Sequence, residues 1–587
     1  MSAPEPTEAF RSEPSRSEPW RRRVARALLY GKADRQVKAR ARIALAIFCF
    51  AAIYGVIAGR LVLYAMTPDS HGARRIGTDA VATARPDIVD RTGQVLATDV
   101  KAASLFGEPK RLIDVDEAVE LLTATLPDLD AKETRERLGN RKRGFAWLKR
   151  EITPKEQQDV RKLGIPGIGF LNENKRVYPN GAEVAHLIGL VNIDNQGIAG
   201  MEKWLDGSGL AALHAAGLAV DSQQEPVQLA VDLRVQHAMR DELVFAREKY
   251  KAKAAAGLVT DVRTGEILAM VSVPDFDPNN PKEANDPTRI NRLTTGVFEL
   301  GSTFKALTLA MALDSGKFTL ASMLDARTSL RYGKFDIHDY HAQHRMLSLP
   351  EVFTYSSNVG TAKIALGMGV EAHKAFLRKM GQLDRLTTEL PESAMPIVPK
   401  RWGELNTITI AFGHGLSVAP LQATMAVGAL MNGGLMIPPT FLKRSEEDAL
   451  KLAQQVVKPE TSVKMRYLMR LNAEKGSARR VDIPGYYVGG KTGTAEKVVN
   501  GRYSKTKLLT TFMAVLPADQ PRFLLTILLD EPQGIPETGG KAVSGLNAGP
   551  TAGRIITRIA PMLGLEPRFD LPPAEQLILA GNKTAAR

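Results

Sequence analysis

The chain has 587 residues, 44% apolar and 24% charged, so it is too long for one compact core and too apolar to be disordered through its bulk. Its net charge of +14 fits either a nucleic-acid-binding surface or a basic flank beside an anionic membrane. Its single cysteine, Cys49, excludes an internal disulfide.

Residues 1–42 are polar and rich in Ser, Pro and Arg, with eleven Lys/Arg against five Asp/Glu, and read as a mostly disordered basic tail. The basic residues crowd toward its end, from Arg21 to Arg42. An uncharged apolar run then extends from Ile43 to Gly59, and apolar residues resume after Arg60 as far as Met66. If Arg60 reaches up to the headgroups, residues 43–66 cross a bilayer comfortably. Positive charge on the N-terminal side predicts a cytoplasmic N-terminus and an uncleaved, single-pass signal anchor. A cleaved signal peptide fits less well, because no small-x-small site follows closely. Everything after Met66 is then outside the cytoplasm, which sets nucleic acid aside as a partner.

Residues 67–225 read as a mixed, non-catalytic domain. Ile88 to Ala97 is strand, Asp/Gly turn and strand. Asp114 to Leu126 and Ala131 to Leu138 are short helices, Arg176 to Gly181 a turn, and Ala182 to Leu190 a short apolar element. A further helix follows Gly197–Glu202. Residues 226–566 have a different pattern. A strand over Val227–Asp232 and a helix over Leu233–Lys249 precede a hairpin turning at Thr264–Gly265. Mostly helical segments follow, then strands over Tyr486–Thr492, Leu508–Leu516 and Phe523–Asp530, the last two joined by a Pro517–Pro521 turn. Strands at both ends with helices between predict one antiparallel sheet covered by helices, an α+β domain. Thr551–Leu563 is its closing helix, and residues 567–587 read as a loosely held tail.

Three short motifs carry the chemistry. In Gly301-Ser302-Thr303-Phe304-Lys305 the serine and lysine share one face at the opening of an apolar helix. A serine hydroxyl needs a base and oxyanion donors to act as a nucleophile, and a lysine serves as base if burial and nearby positive charge lower its pKa. Tyr355-Ser356-Ser357-Asn358 presents a hydroxyl and an amide at a second helix start. Gly489-Gly490-Lys491-Thr492-Gly493-Thr494 carries a lysine on a strand, with glycines that let a substrate backbone lie close. A cluster of His338, His341 and His344 has spacing compatible with zinc, yet reads better as a surface loop before the Ser356 helix.

Ser-x-x-Lys, Ser-x-Asn and Lys-Thr-Gly in this order resemble the penicillin-binding proteins and class A β-lactamases. The flanking blocks extend the resemblance: Asn291–Ser302, Phe412–Gln422, Arg85–Gly93 and Arg176–Glu202 are similar to class B penicillin-binding proteins, over about residues 43–565. The resemblance implies a transpeptidase fold with an all-helical subregion at residues 226–566. It also implies a pedestal of the class B dimerisation type at residues 67–225.

The activity implied is acyl transfer. Lys305 takes the proton of Ser302, which attacks the carbonyl between two terminal D-alanines of a peptidoglycan stem peptide. The backbone N–H groups of Ser302 and Thr494 hold the oxyanion, Ser356 passes a proton to the leaving D-alanine, and Asn358 holds the substrate amide. Lys491, Thr492 and Thr494, with Gly493 between them, bind the terminal carboxylate. A diaminopimelate-type amine completes the cross-link, β-lactams mimic the donor, and no metal or cofactor is implied. The expected setting is the inner (cytoplasmic) membrane at the division site, with the catalytic domain periplasmic. Expected partners are a polytopic lipid-linked glycan polymerase and other divisome membrane proteins. Side-wall elongation or sporulation would use the same chemistry. A β-lactamase fits poorly because Thr388–Glu392 lacks the deacylating-glutamate pattern, and a β-lactam-sensing receptor would need a multi-span membrane domain.

Overall fold

The computed structural model describes residues 35–66, 85–209 and 225–578. The chain divides into two units, residues 1–80 and 81–587. In the first, one helix (α1, Arg35–Met66) contains the apolar stretch Ile43–Arg60, long enough to cross a membrane. It begins eight residues before the apolar run, because Lys, Arg and Ala between Arg35 and Arg42 are good helix formers that extend it. The remainder of the expected basic tail, residues 1–34, lies outside the described residues.

Among the described residues the second unit contains two five-stranded sheets and four two-stranded ones. The first is built on β1 (Ile88–Val89) and the long β2 (Val95–Gly107). The turn between them is fixed by Asp90, whose Oδ1 accepts from Thr92 N, Thr92 Oγ1 and Gln94 N. Helices α2 (Val115–Thr125) and α3 (Ala131–Gly139) are capped by Asp114 and Asp130. Strand β3 (Ala146–Ile152) and, after helix α4 (Pro154–Leu163), strand β4 (Ile168–Val177) both pair antiparallel with β2. Arg176, read from sequence as a turn residue, is the penultimate residue of β4 instead. Its side chain is fully buried, pairing with Glu202 at 2.6 Å and Asp99 at 3.2 Å.

The strand expected over Val227–Asp232 is only β5 (Val227–Gln228), and it joins this first sheet, parallel to β1. Val227, Leu229 and Val231 are all buried as alternation requires. The backbone partners change from Val89 to Phe441 and then Leu268, so no continuous ladder forms.

The second sheet has five antiparallel strands. Helix α5 (Leu233–Lys249) precedes β6 (Ala254–Asp261) and β7 (Ile267–Val273). Helices α6 (Lys305–Asp314), α7 (Asn358–Met368), α8 (Pro420–Met431) and α9 (Pro459–Lys475) follow. Then come β8 (Gly489–Val499), β9 (Arg502–Leu516), β10 (Phe523–Asp530) and the closing helix α10 (Ala548–Met562). Sheet order is β8-β9-β10-β6-β7. Leu258 and Leu524 pack toward the helices that follow the Ser302 turn, whereas Val259, Leu525 and Ile527 pack toward α5 and α10. Helices on both faces bury every residue of β6, β7 and β10, which explains runs as apolar as Phe523-Leu-Leu-Thr-Ile-Leu-Leu. The sheets meet in one core where Ile88, Leu187 and Met201 pack in the same cluster as Leu258 and Leu307, while Leu105 of β2 packs with Leu122 and Leu138 in a separate core.

Two elements differ from the sequence reading. Strand β8 begins three residues later than expected, because Tyr487 takes φ +47°, and runs on to a turn at Asn500-Gly501, both with positive φ. Asn-Gly is the preferred pair for such a hairpin. The tail after Pro567 is docked, not loose, as far as Ile578. Arg568 N donates to Gly485 O, Tyr487 Oη donates to Pro572 O at 2.6 Å, and Ala574 is fully buried. Residues 579–587 lie outside the described residues.

Candidate active site

The site forms where the start of α6 meets the edge of the second sheet. Gly301–Phe304 is a turn of 3-10 helix leading directly into α6. In a 3-10 turn residues three apart eclipse, so Ser302 and Lys305 lie one above the other. Ser302 lies within this first turn and caps nothing. Its hydroxyl is partly exposed and makes no hydrogen bond with any described residue, and its N–H is among those the opening turn of a helix leaves without an internal partner.

Gly301 explains how close the turn comes to the sheet. Its φ is +56°, and a Cβ there would stand 2.5 Å from Thr494 O. Gly493 is required for the same packing: a Cβ would meet Leu300 O at 2.4 Å and Thr511 Oγ1 at 2.3 Å. The sequence reading assigned Gly493 and its neighbours to close approach of substrate. In the structure the missing side chain of Gly493 makes room for the Ser302 turn itself, and those of Gly489 and Gly490 face Val515 and Phe512.

Strand β8 is at the sheet edge. Asn472 Nδ2 donates to Gly490 O at 2.7 Å and Lys491 Nζ to Thr492 O at 3.1 Å. Alternate residues of a strand direct their backbone groups the same way, so the Thr494 N–H also points to the open edge, toward Gly301 and Ser302. Thr492 Oγ1 donates to Ser477 Oγ at 2.8 Å, and Thr494 Oγ1 accepts from Ser544 N at 3.1 Å. Ser477, Ser544 and Asn472 were not identified from sequence, because no local pattern marks them.

Lys305 is completely buried and donates to Ser356 O, to Ser356 Oγ at 3.1 Å and to Asn358 Oδ1 at 2.7 Å. Lys491, also buried, donates to the same Ser356 Oγ at 3.0 Å and lies over the Phe353 ring. Ser356 thus links the two lysines. It has φ +56°, an uncommon conformation for a serine and one that directs its carbonyl at Lys305. Burial holds Lys305 well below the ordinary lysine pKa, Lys491 pushes it further down, and Asp339 opposes both. Burial lowers Lys491 to about 7.

Asn358 bonds through both polar atoms: Oδ1 accepts from Lys305 and Nδ2 donates to His338 O at 3.1 Å, leaving each atom a second bonding position. The histidine-bearing loop therefore contributes a carbonyl to the site. It also contributes Asp339, whose carboxylate accepts from Ser357 Oγ at 2.7 Å and Val359 N at 2.9 Å and so anchors the start of α7. Among the described residues no three His, Cys, Asp or Glu side chains converge on a metal position.

A second polar group is built around Glu299, three residues before Ser302. Glu299 Oε1 accepts from Gly415 N at 2.8 Å and from Tyr503 Oη at 3.0 Å, and Tyr503 stands 5.7 Å from the His414 ring. Burial raises the Glu299 pKa against these two hydrogen bonds. Burial, then Lys305, lowers that of His414 to about 4, so its imidazole is neutral. Glu299 and His414 stand in the blocks quoted above for their resemblance, but nothing in the sequence indicated that they meet.

Comparison with known proteins agrees with this geometry. Residues 255–556 match the penicillin-binding protein transpeptidase domain, and residues 80–205 the penicillin-binding protein dimerisation domain. The chain is 39% identical to the probable peptidoglycan D,D-transpeptidase FtsI of Caulobacter vibrioides, over 89% of this chain and 88% of that relative. It is 32% identical to the peptidoglycan D,D-transpeptidase FtsI of Escherichia coli K12, over 90% and 92%. It is also 30% identical to the stage V sporulation protein D of Bacillus subtilis, over 82% and 79%. With a serine turn, two buried lysines and a bridging serine assembled on a matching transpeptidase domain, the chain belongs to the penicillin-binding proteins of class B.

Proposed function

We propose that this protein is a serine-type peptidoglycan D,D-transpeptidase that cross-links stem peptides at the division septum. The observation that carries the reading is the continuous chain Lys305–Ser356–Lys491 beside the Ser302 turn. Neutral Lys305 takes the proton as Ser302 Oγ attacks the carbonyl between the two terminal D-alanines. The oxyanion forms between the backbone N–H groups of Ser302 and Thr494, where fixed donors stabilise developing charge. Lys491, Thr492 and Thr494 receive the substrate's terminal carboxylate. The proton moves from Lys305 through Ser356 to the amine of the departing D-alanine, and the C–N bond breaks to leave an acyl-Ser302. A diaminopimelate-type amine of a second strand then attacks the ester, and Ser302 recovers its proton by the same route. Asn358 holds the substrate amide and also supports Lys305. A β-lactam enters as a donor mimic and remains on Ser302.

In this reading α1 spans the inner membrane once, with the N-terminus in the cytoplasm and the catalytic unit outside. A polytopic glycan polymerase and other division membrane proteins are its partners. Division is favoured over sporulation because the FtsI-type relative from Caulobacter vibrioides has the higher identity.

The test is depletion with complementation by wild type or Ser302→Ala, scoring cell shape and labelling by a fluorescent penicillin. Filaments without septa, and no label on Ser302→Ala, are expected. Round cells would replace division by elongation, and a labelled Ser302→Ala protein would remove Ser302 as nucleophile.

A further inference from the structure

The docked tail reaches the site through α9. Beyond α10 the chain returns to the end of α9 and to the residues just before β8. Arg568 N donates to Gly485 O at 2.8 Å, Tyr487 Oη to Pro572 O at 2.6 Å and Ala574 N to Glu474 Oε1 at 3.1 Å. Ala574 is fully buried, and Leu571, Leu577 and Ile578 pack against the core that contains Tyr487. The Lys475–Glu575 pair at 2.7 Å is exposed on both sides and adds little.

The two residues gripped by the tail, Glu474 and Tyr487, in turn hold the carboxylate-binding strand. Glu474 Oε1 also accepts from Arg470 Nε at 3.0 Å. The Arg470 guanidinium lies 4.4 Å from the Tyr487 ring centroid and donates to Val488 O at 2.8 Å. Asn472 Nδ2 donates to Gly490 O, and Asn472 Oδ1 accepts at 3.0 Å from the backbone N–H of Ser477, whose hydroxyl accepts from Thr492. The outward carbonyls of Val488 and Gly490 are thus both bonded to α9, which takes the place of a further strand at this edge. Gly476, at the end of α9, lies so near the Ser356 loop that a Cβ would stand 2.9 Å from Thr354 O. Tyr487 has φ +47°, a conformation that a tyrosine keeps only where its surroundings hold it.

We propose that residues 567–578 are a strap that positions the carboxylate-binding groups Lys491 and Thr492 for the donor peptide. The proposal rests on the transpeptidase reading above. Through Glu474 and Tyr487 the strap fixes the end of α9 and the entry to β8. Arg470, Asn472 and Ser477 carry that placement to Val488, Gly490 and Thr492. Ala574, Glu474 and Tyr487 are positioning residues, since they act on the substrate only through α9 and β8.

The test uses the purified full chain in detergent and two peptidyl thioester donors, identical except that the leaving thiol ends in a carboxylate or in its methyl amide. Ser302 Oγ attacks the thioester carbonyl, the C–S bond breaks, and the thiol that leaves with the serine proton is measured. Wild type should use the carboxylate donor with a kcat/KM at least about tenfold higher. Ala574→Arg has no room for its side chain and lifts the strap. The ratio should then fall to within about threefold, through a rise in KM for the carboxylate donor alone, while Ala574→Gly keeps the wild-type ratio. Tyr487→Phe keeps the ring over Arg470 but loses the bond to Pro572 O, and should lower the ratio about two- to threefold. Both donors are read on one sample, so a smaller folded fraction slows both and leaves the ratio alone. If Ala574→Arg does not fold, Tyr487→Phe decides. An unchanged ratio in the folded variants overturns the strap and leaves the transpeptidase reading standing. Equal use of both donors by wild type removes the carboxylate role of Lys491 and Thr492, and the strap with it. No thiol release by wild type from either donor overturns the transpeptidase reading itself.

Discussion

Lys491→Met replaces a buried amine by an apolar side chain of similar length, and its consequence for stability follows from the environment of Lys491. Burial holds this lysine at about 7 in the folded protein, against about 10.4 in an unfolded chain. Below pH 7 both states carry the proton and the folded state bears the full cost of a buried charge. Between pH 7 and about 10.4 the unfolded state holds a proton that the folded state does not, so folded wild type gains about 1.4 kcal/mol per pH unit from this group. Above that both are neutral. The methionine variant has no such dependence at residue 491. It should therefore unfold at higher denaturant concentration than wild type near pH 7, with an advantage that shrinks by about 2–3 kcal/mol between pH 7 and 9. The measurement is urea unfolding of both proteins at several pH values, read as the difference, so that groups whose titration the substitution leaves unchanged cancel. A difference that stays flat across this window would show that Lys491 keeps its charge when buried, and would refute the reasoning.

Three further outcomes are expected. Removing the Lys491 charge also raises the Lys305 pKa, leaving burial as its main depressing cause, so the acid limb of penicillin acylation moves to higher pH in Lys491→Met; an unmoved limb would uncouple the two lysines. Asn358→Ala leaves a buried donor of Lys305 without its 2.7 Å acceptor, and acylation should slow by about 10- to 100-fold, the rate equivalent of about 1–3 kcal/mol, with the fold retained by circular dichroism. Arg176→Ala removes the cation shared by Glu202 and Asp99, which keep Arg85 and, for Asp99, Asn195 as partners, and should destabilise the protein by about 1.5–3 kcal/mol in chemical unfolding without abolishing penicillin labelling of the folded fraction.

Much of this molecule was legible in its sequence. Local order is set by local chemistry: Asp114 caps α2, Thr264-Gly265 turns a hairpin, and a charge-free run after a basic flank makes a membrane-length helix. The three motifs were equally visible, because a nucleophile, a base and a carboxylate-binding lysine each require a particular residue type. The sequence could not show which side chains share an atom. Ser356 connects Lys305 to Lys491 only because α6, the loop before α7 and the edge strand β8 converge, and the depressed pKa values of both lysines exist only because that convergence excludes water. Tertiary contact also gave Gly493 a part in making room for the Ser302 turn, and Asn358 a part in supporting Lys305, neither of which a local pattern encodes. It also brought together Glu299, His414 and Tyr503 from three separate stretches of chain. Residue type and spacing determined the chemistry this protein carries; burial and long-range contact, which no local pattern encodes, decided the protonation and position of each group that performs it.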